Sequence, residues 1–122
     1  MTNPITLAKE QFRDALIASS LDVKEYIPER IIPPVVVISD GSPFLEPESL
    51  SQEFIMNLEL LLVAGTASNE TSTEELESLI STALNGLPAY ARIVNVGKPY
   101  ALAVNNTEYL SASLFVEISI TI

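Results

Sequence analysis

Residues 53–65, EFIMNLELLLVAG, and residues 110–122, LSASLFVEISITI, constrain the fold more than any other part of the chain. Side chains of a strand alternate between two faces, so Phe54, Met56, Leu58, Leu60 and Leu62 make one wholly apolar row. Leu110, Ala112, Leu114, Val116, Ile118, Ile120 and Ile122 make a second row of similar length. Both rows are buried at once if the two strands pair antiparallel and turn them toward one core, which is the central expectation for the fold. The other row of the first strand runs Ile55, Asn57, Glu59, Leu61, Val63, polar in the middle and apolar toward its end. Water on that side disfavours Leu61 and Val63, so a cover is expected over them: a helix, the proline-rich segment 20–34 or a neighbouring subunit.

Two helices are expected to close the core. Asn3 followed by Pro4 is a capping side chain before a proline at the first helical position, and Ile5, Ala8, Phe12, Ala15 and Leu16 recur at helical spacing. This predicts a helix over 4–19. Ser72 with Glu75, or Thr71 with Glu74, fits a capping box, Leu76, Leu79, Ile80, Ala83, Leu84 and Leu87 form one apolar stripe, and Gly86 and Pro88 end the helix. Between the first helix and Pro34, three prolines permit at most a short edge strand around residues 24–32. Val35 to Ser39 is dense in β-branched residues and predicts a strand ending at an Asp40-Gly41 turn, followed by a loop, SPFLEPESLSQ. Short strands are expected over 92–96 and 100–104, with Asn105-Asn106 as a tight hairpin turn into the last strand. The fold class is therefore α+β, a single domain over 1–122 with a mostly antiparallel sheet and both helices packed on one face.

The 122 residues are 48% hydrophobic, enough for a real core. The apolar run Leu60 to Ala64 falls far short of the roughly 20 residues a membrane helix needs, so no membrane span is expected. Lys9, Glu10, Arg13 and Asp14 interrupt the first twenty residues, which disfavours a signal peptide and points to the cytoplasm.

Formal net charge is -10, and it is unevenly placed. Residues 34–88 hold nine carboxylates (Asp40, Glu46, Glu48, Glu53, Glu59, Glu70, Glu74, Glu75, Glu77) and no basic side chain, whereas residues 89–122 hold two of each sign. A solvated acidic surface is the plain consequence, a surface for a basic partner or one that repels polyanions the sharper one. Gripping nucleic acid through a basic patch is disfavoured.

Chemistry is scarce. The chain has no histidine and no cysteine, so the commonest general base and the usual nucleophilic and zinc-binding side chains are missing. A serine nucleophile would need a lysine base, and Lys9, Lys24 and Lys98 lie in no Ser-Lys arrangement. A carboxylate pair drawn from Asp40, Glu46 and Glu48 flanks prolines, where carboxylates are usually solvated. Neither an enzyme nor a cofactor or metal site is expected.

An amino-terminal helix, a strand after Pro33-Pro34 (VVVIS), a loop with a Pro43-Phe44 step, a long strand ending in glycine (FIMNLELLLVAG), a capped helix (STEELESLISTAL) and a closing tyrosine-led strand (EYLSASLFVEISITI) follow in order. From about residue 5 to 122 this pattern resembles the tail terminator, or tail completion, proteins of long-tailed bacteriophages. The resemblance implies a non-enzymatic ring, typically a homo-hexamer, at the tail-head junction of the virion, assembled in the host cytoplasm. Such a ring caps the tail tube, stops polymerisation of the tail tube protein and offers a surface to the head-tail connector protein, while DNA passes through without sequence-specific binding. Subunit or partner contacts are then expected on the connections 41–51 and 65–72, at Phe44, Leu45, Glu46, Glu48, Asn69 and Glu70, and on the sheet at Leu61 and Val63. Head-completion or neck connector proteins of the same virion are the nearest alternatives. A small ligand-binding or regulatory domain is the alternative of another class, and an apolar internal pocket would mark it.

Overall fold

The computed structural model describes residues 3–26, 29–48, 52–66 and 70–122, with only the backbone of residues 66 and 70. Asn3 caps the first helix, α1 (Pro4–Ile17): its Oδ1 accepts from the Thr6 amide at 2.7 Å, and Pro4 sits where a missing N-H costs nothing. Ser20, at φ 66°, turns the chain out of the helix two residues earlier than periodicity predicts. Then follow β1 (Val23–Lys24), β2 (Val35–Pro47), β3 (Glu53–Thr66), α2 (Glu70–Gly86), β4 (Ala91–Val96), β5 (Tyr100–Val104) and β6 (Thr107–Thr121).

The strands form one sheet in the order β1-β2-β3-β6-β4, with β5 also on β6. Only β1 runs parallel to its neighbour. The central expectation holds: β3 and β6 pair antiparallel from Glu53↔Thr121 to Thr66↔Tyr109, with one irregularity between Val63 and Gly65. β3 occupies one edge of β6, so β4 and β5 follow one another along the other, and the Gly97 amide bonds the Ser113 carbonyl at 2.7 Å between them. Asn105 and Asn106, at φ 50° and 67°, make the hairpin turn that leads into β6.

Both helices lie on the face that carries the apolar rows. Phe12 and Leu16 of α1, and Leu76, Leu79 and Ala83 of α2, meet Met56, Leu58, Leu60 and Leu62 of β3 and Leu114, Val116 and Ile118 of β6 in one buried cluster. Wholly burying each large side chain contributes about 1.5–3 kcal/mol, so this layer dominates the folding energy.

The sheet's other face has its own small core at one end. Val35 and Val37 of β2 and Leu61 and Val63 of β3 are buried there under Ile31, with Leu102, Val104 and Tyr109 packed alongside. Leu61 is 7% exposed and Val63 0% within a single chain, so the expected cover is the segment before β2 together with the β5-β6 hairpin. This corrects the placement of Leu61 and Val63 at a subunit contact: a side chain already enclosed by its own chain has no surface to offer.

Three local expectations are also revised. The strand beginning at Val35 does not end at Asp40-Gly41 but continues to Pro47 through an irregularity between Asp40 and Leu45. Most of the supposed loop is therefore strand, held by Asn57, whose Nδ2 donates to the Pro43 carbonyl at 2.8 Å and to Glu46 Oε1 at 2.7 Å. Gly41 lies so close that a Cβ there would come within 2.9 Å of the Asn57 Cβ. Second, α2 begins at Glu70, so Thr71 and Ser72 are helical residues and not caps, and Ser72 is buried against Gly65. Third, the edge strand expected around 24–32 is reduced to Val23–Lys24.

Candidate functional site

The middle of the face away from the helices is polar and open. Asn57 and Glu59 of β3, Phe115 and Glu117 of β6, Asn95 of β4 and Glu46 of β2 line a groove of about 330 Å³. Each carboxylate there has a partner: Glu46 accepts from Asn57, Glu59 Oε2 accepts from Ser113 Oγ at 3.0 Å, and Glu117 Oε2 forms an ion pair with Arg92 Nη1 at 3.6 Å. The groove gathers negative charge, with Arg92 at its rim. Among the described residues no group of three or more His, Cys, Asp or Glu is placed to hold a metal ion, and no helix is long and apolar enough to cross a membrane.

The second surface is the outer edge of β4 and β5. Among the described residues these strands pair with β6 alone, so every other backbone N-H and C=O points outward without a strand partner there. Along this edge Tyr90, Ile93, Val94, Val96 and Tyr100 are between 36% and 51% exposed. Beside them Arg92 keeps 82% of its side chain exposed, and Lys98 is exposed too. Tyr90 also shares a shallow groove with Leu7 of α1, where burial pushes its phenol up from the ordinary value of 10.0.

The residues singled out from the sequence do not gather at one site. Phe44 and Leu45 lie in β2, half-buried against the main core, with Lys9 Nζ 4.9 Å from the centre of the Phe44 ring. Glu46 lines the acidic groove, and Glu48 is exposed at the β2-β3 end, where its amide bonds the Glu53 carbonyl at 3.0 Å. Leu61 and Val63 belong to the small second core. Asn69 lies outside the described residues, and Glu70 is the first residue of α2. The structure brings no two of the candidate carboxylates Asp40, Glu46 and Glu48 onto a common substrate: Asp40 pairs with Lys9 at 2.6 Å on the helix side, while Glu46 is held by Asn57.

Sequence reasoning passed over the β4-β5 edge. Its signal is there in ARIVNV, where Ile93, Val94 and Val96 break the apolar-polar alternation of a half-buried strand. A further depression, about 640 Å³ between the end of α1, Pro33-Pro34 and α2, is open to solvent, with apolar walls from Leu21, Leu79 and the two prolines and polar ones from Glu75 and the neighbouring serines and Thr82. Comparison with known protein families finds none that matches this chain, and comparison with characterised proteins finds no similar sequence.

Proposed function

We propose that the chain is a structural virion assembly protein of the tail terminator type, forming a hexameric ring that caps the phage tail tube, ends tube polymerisation and joins tail to head. The observation that carries this proposal is the unpaired apolar edge of β4 and β5, a surface a solitary domain gains nothing by exposing and an assembling one needs. The order of elements supports it, running from a capped amino-terminal helix through two long paired strands and a second helix to a long closing strand. The acidic groove adds to this, because a ring that passes DNA has to avoid holding it, and carboxylates repel the phosphate backbone.

Light scattering behind size-exclusion chromatography, with negative-stain microscopy of the protein mixed with tail tubes, tests the proposal. Rings of uniform size, alone or seated on tube ends, are the expected result. A strict monomer at high concentration that leaves tube ends bare overturns it.

A further inference from the structure

We infer that the ring closes through a head-to-tail contact in which the β4 edge of one copy receives the acidic β2-β3 end of the next. The inference rests on the ring proposed above and specifies its subunit interface. β4 and β2 lie on opposite sides of the sheet, separated by β6 and β3, so their outer edges are three interstrand spacings, about 14 Å, apart. Both reach the same end: Ala91 pairs with Ile118, Ile118 with Met56, and Met56 with Leu45. On the far side β1 covers β2 only at Val36 and Val37, so the outer edge of β2 from Ser39 to Pro47 has no strand partner among the described residues.

The two edges differ in character. The β4 side offers Ile93, Val94, Val96 and Tyr100 with the cations Arg92 and Lys98, and no proline interrupts residues 91–96. The β2-β3 end offers Glu46, Glu48 and Glu53 with no basic residue between Pro34 and Pro88 in the sequence; Lys9 of α1 reaches β2 but its charge is taken up by Asp40 at 2.6 Å, and Pro43 and Pro47 deny the end two backbone donors. Two copies joined β4 to β4 would set Arg92 and Lys98 of each near those of the other. Two joined at their acidic ends would repel more strongly still. Only the unlike pairing is charge-complementary, and its two halves occupy different edges of one sheet. Such a contact is heterologous: a growing assembly keeps one free edge of each kind at its ends, and it becomes a ring when the rotation between successive copies closes. The charges set partner and orientation, and the exposed apolar side chains along the edge supply the burial.

Four full-length variants test this by light scattering and by microscopy on tail tubes, with far-UV circular dichroism and thermal melts checking that each folds. Arg92→Glu with Lys98→Glu, and separately Glu48→Lys with Glu53→Lys, are each expected to weaken self-association at least about tenfold. Val94→Glu, on a side chain already 49% exposed, is expected to do the same without unfolding the monomer. The chain carrying all four charge reversals is expected to assemble again, a rescue that loss of structure cannot mimic. Rings that survive either pair of reversals overturn the contact while leaving the ring itself standing. Loss with the β4 variants alone means a symmetric β4-β4 dimer and overturns it as well. A wild-type chain that neither self-associates nor binds tubes overturns the ring proposal along with it.

Discussion

Leu61 lies opposite Val37 in the β2-β3 ladder, on the sheet face away from both helices, and Ile31 closes over the pair. A side chain from the irregular segment before β2 thus completes a second core that the helices cannot reach. Leu61→Asp or Val63→Asp would strand an unpaired carboxylate there and is expected to cost at least about 3 kcal/mol, enough to unfold a marginal domain. Ile31→Ala removes the cover and is expected to cost about 2–5 kcal/mol. Urea titration followed by circular dichroism reads both. Normal folding with lost assembly would return Leu61 and Val63 to a subunit interface.

The β3-β6 pairing and the two helices were legible because period-2 and period-3.6 rows need only the residues that make them. Asn3, Pro4 and the Asn105-Asn106 turn were legible for the same reason, since each acts within a few residues of itself. The course of β2 was not. Asp40-Gly41, Pro43 and Pro47 are turn formers locally, and what overrides them is Asn57 on the next strand, donating to Pro43 and Glu46. The start of α2 was misplaced because Ser72 has the chemistry of a cap, whereas its burial against Gly65 is a tertiary fact. Of the candidate surface, the acidic charge was plain in composition. The free edge was not, because which strand lacks a neighbour depends on strand order, and order is set by how β6 divides its two sides between β3 and β4 with β5.

Gly65 and Ser72 set how closely α2 approaches β3. A Cβ on Gly65 would come within 2.9 Å of Ser72 Oγ and 3.3 Å of Glu75 Oε2, and Ser72 is 4% exposed. Gly65→Ala is expected to lose about 1–3 kcal/mol by overpacking. In a Ser72→Ala background the nearest obstructing atom is gone, so the same substitution is expected to cost less than half as much. A double-mutant cycle in urea measures the coupling, and strictly additive losses would show that the two residues do not share the strain.

Ser111 sits between Val63 of β3 and Tyr100 of β5, wholly buried, and its Oγ has no hydrogen-bond partner among the described residues. A buried hydroxyl with no partner costs the desolvation it never recovers. Ser111→Ala is therefore expected to raise stability by about 1 kcal/mol, with Tm rising accordingly. A fall of similar size would mean that the hydroxyl is satisfied in solution, by water or by a partner.

Asn105 joins the hairpin tip to the segment that carries Ile31: its Nδ2 donates to the Glu29 carbonyl, across the outer end of the second core. Asn106, next to it, holds a positive φ of 67°. The two substitutions to glycine should therefore diverge. Asn106→Gly suits the second position of this turn and is expected to leave stability unchanged or slightly raised, whereas Asn106→Val is expected to lose about 1–2 kcal/mol in a left-handed conformation. Asn105→Gly keeps the turn but removes the tie, at about 0.5–1.5 kcal/mol. The loss should be local, freeing the backbone around Arg30 while β3 and β6 stay paired. Limited trypsin digestion reads it directly: cleavage after Arg30 is expected to quicken in Asn105→Gly and not in Asn106→Gly. Equal cleavage in both variants would show that packing around Ile31, and not the Asn105 amide, keeps this segment on the sheet.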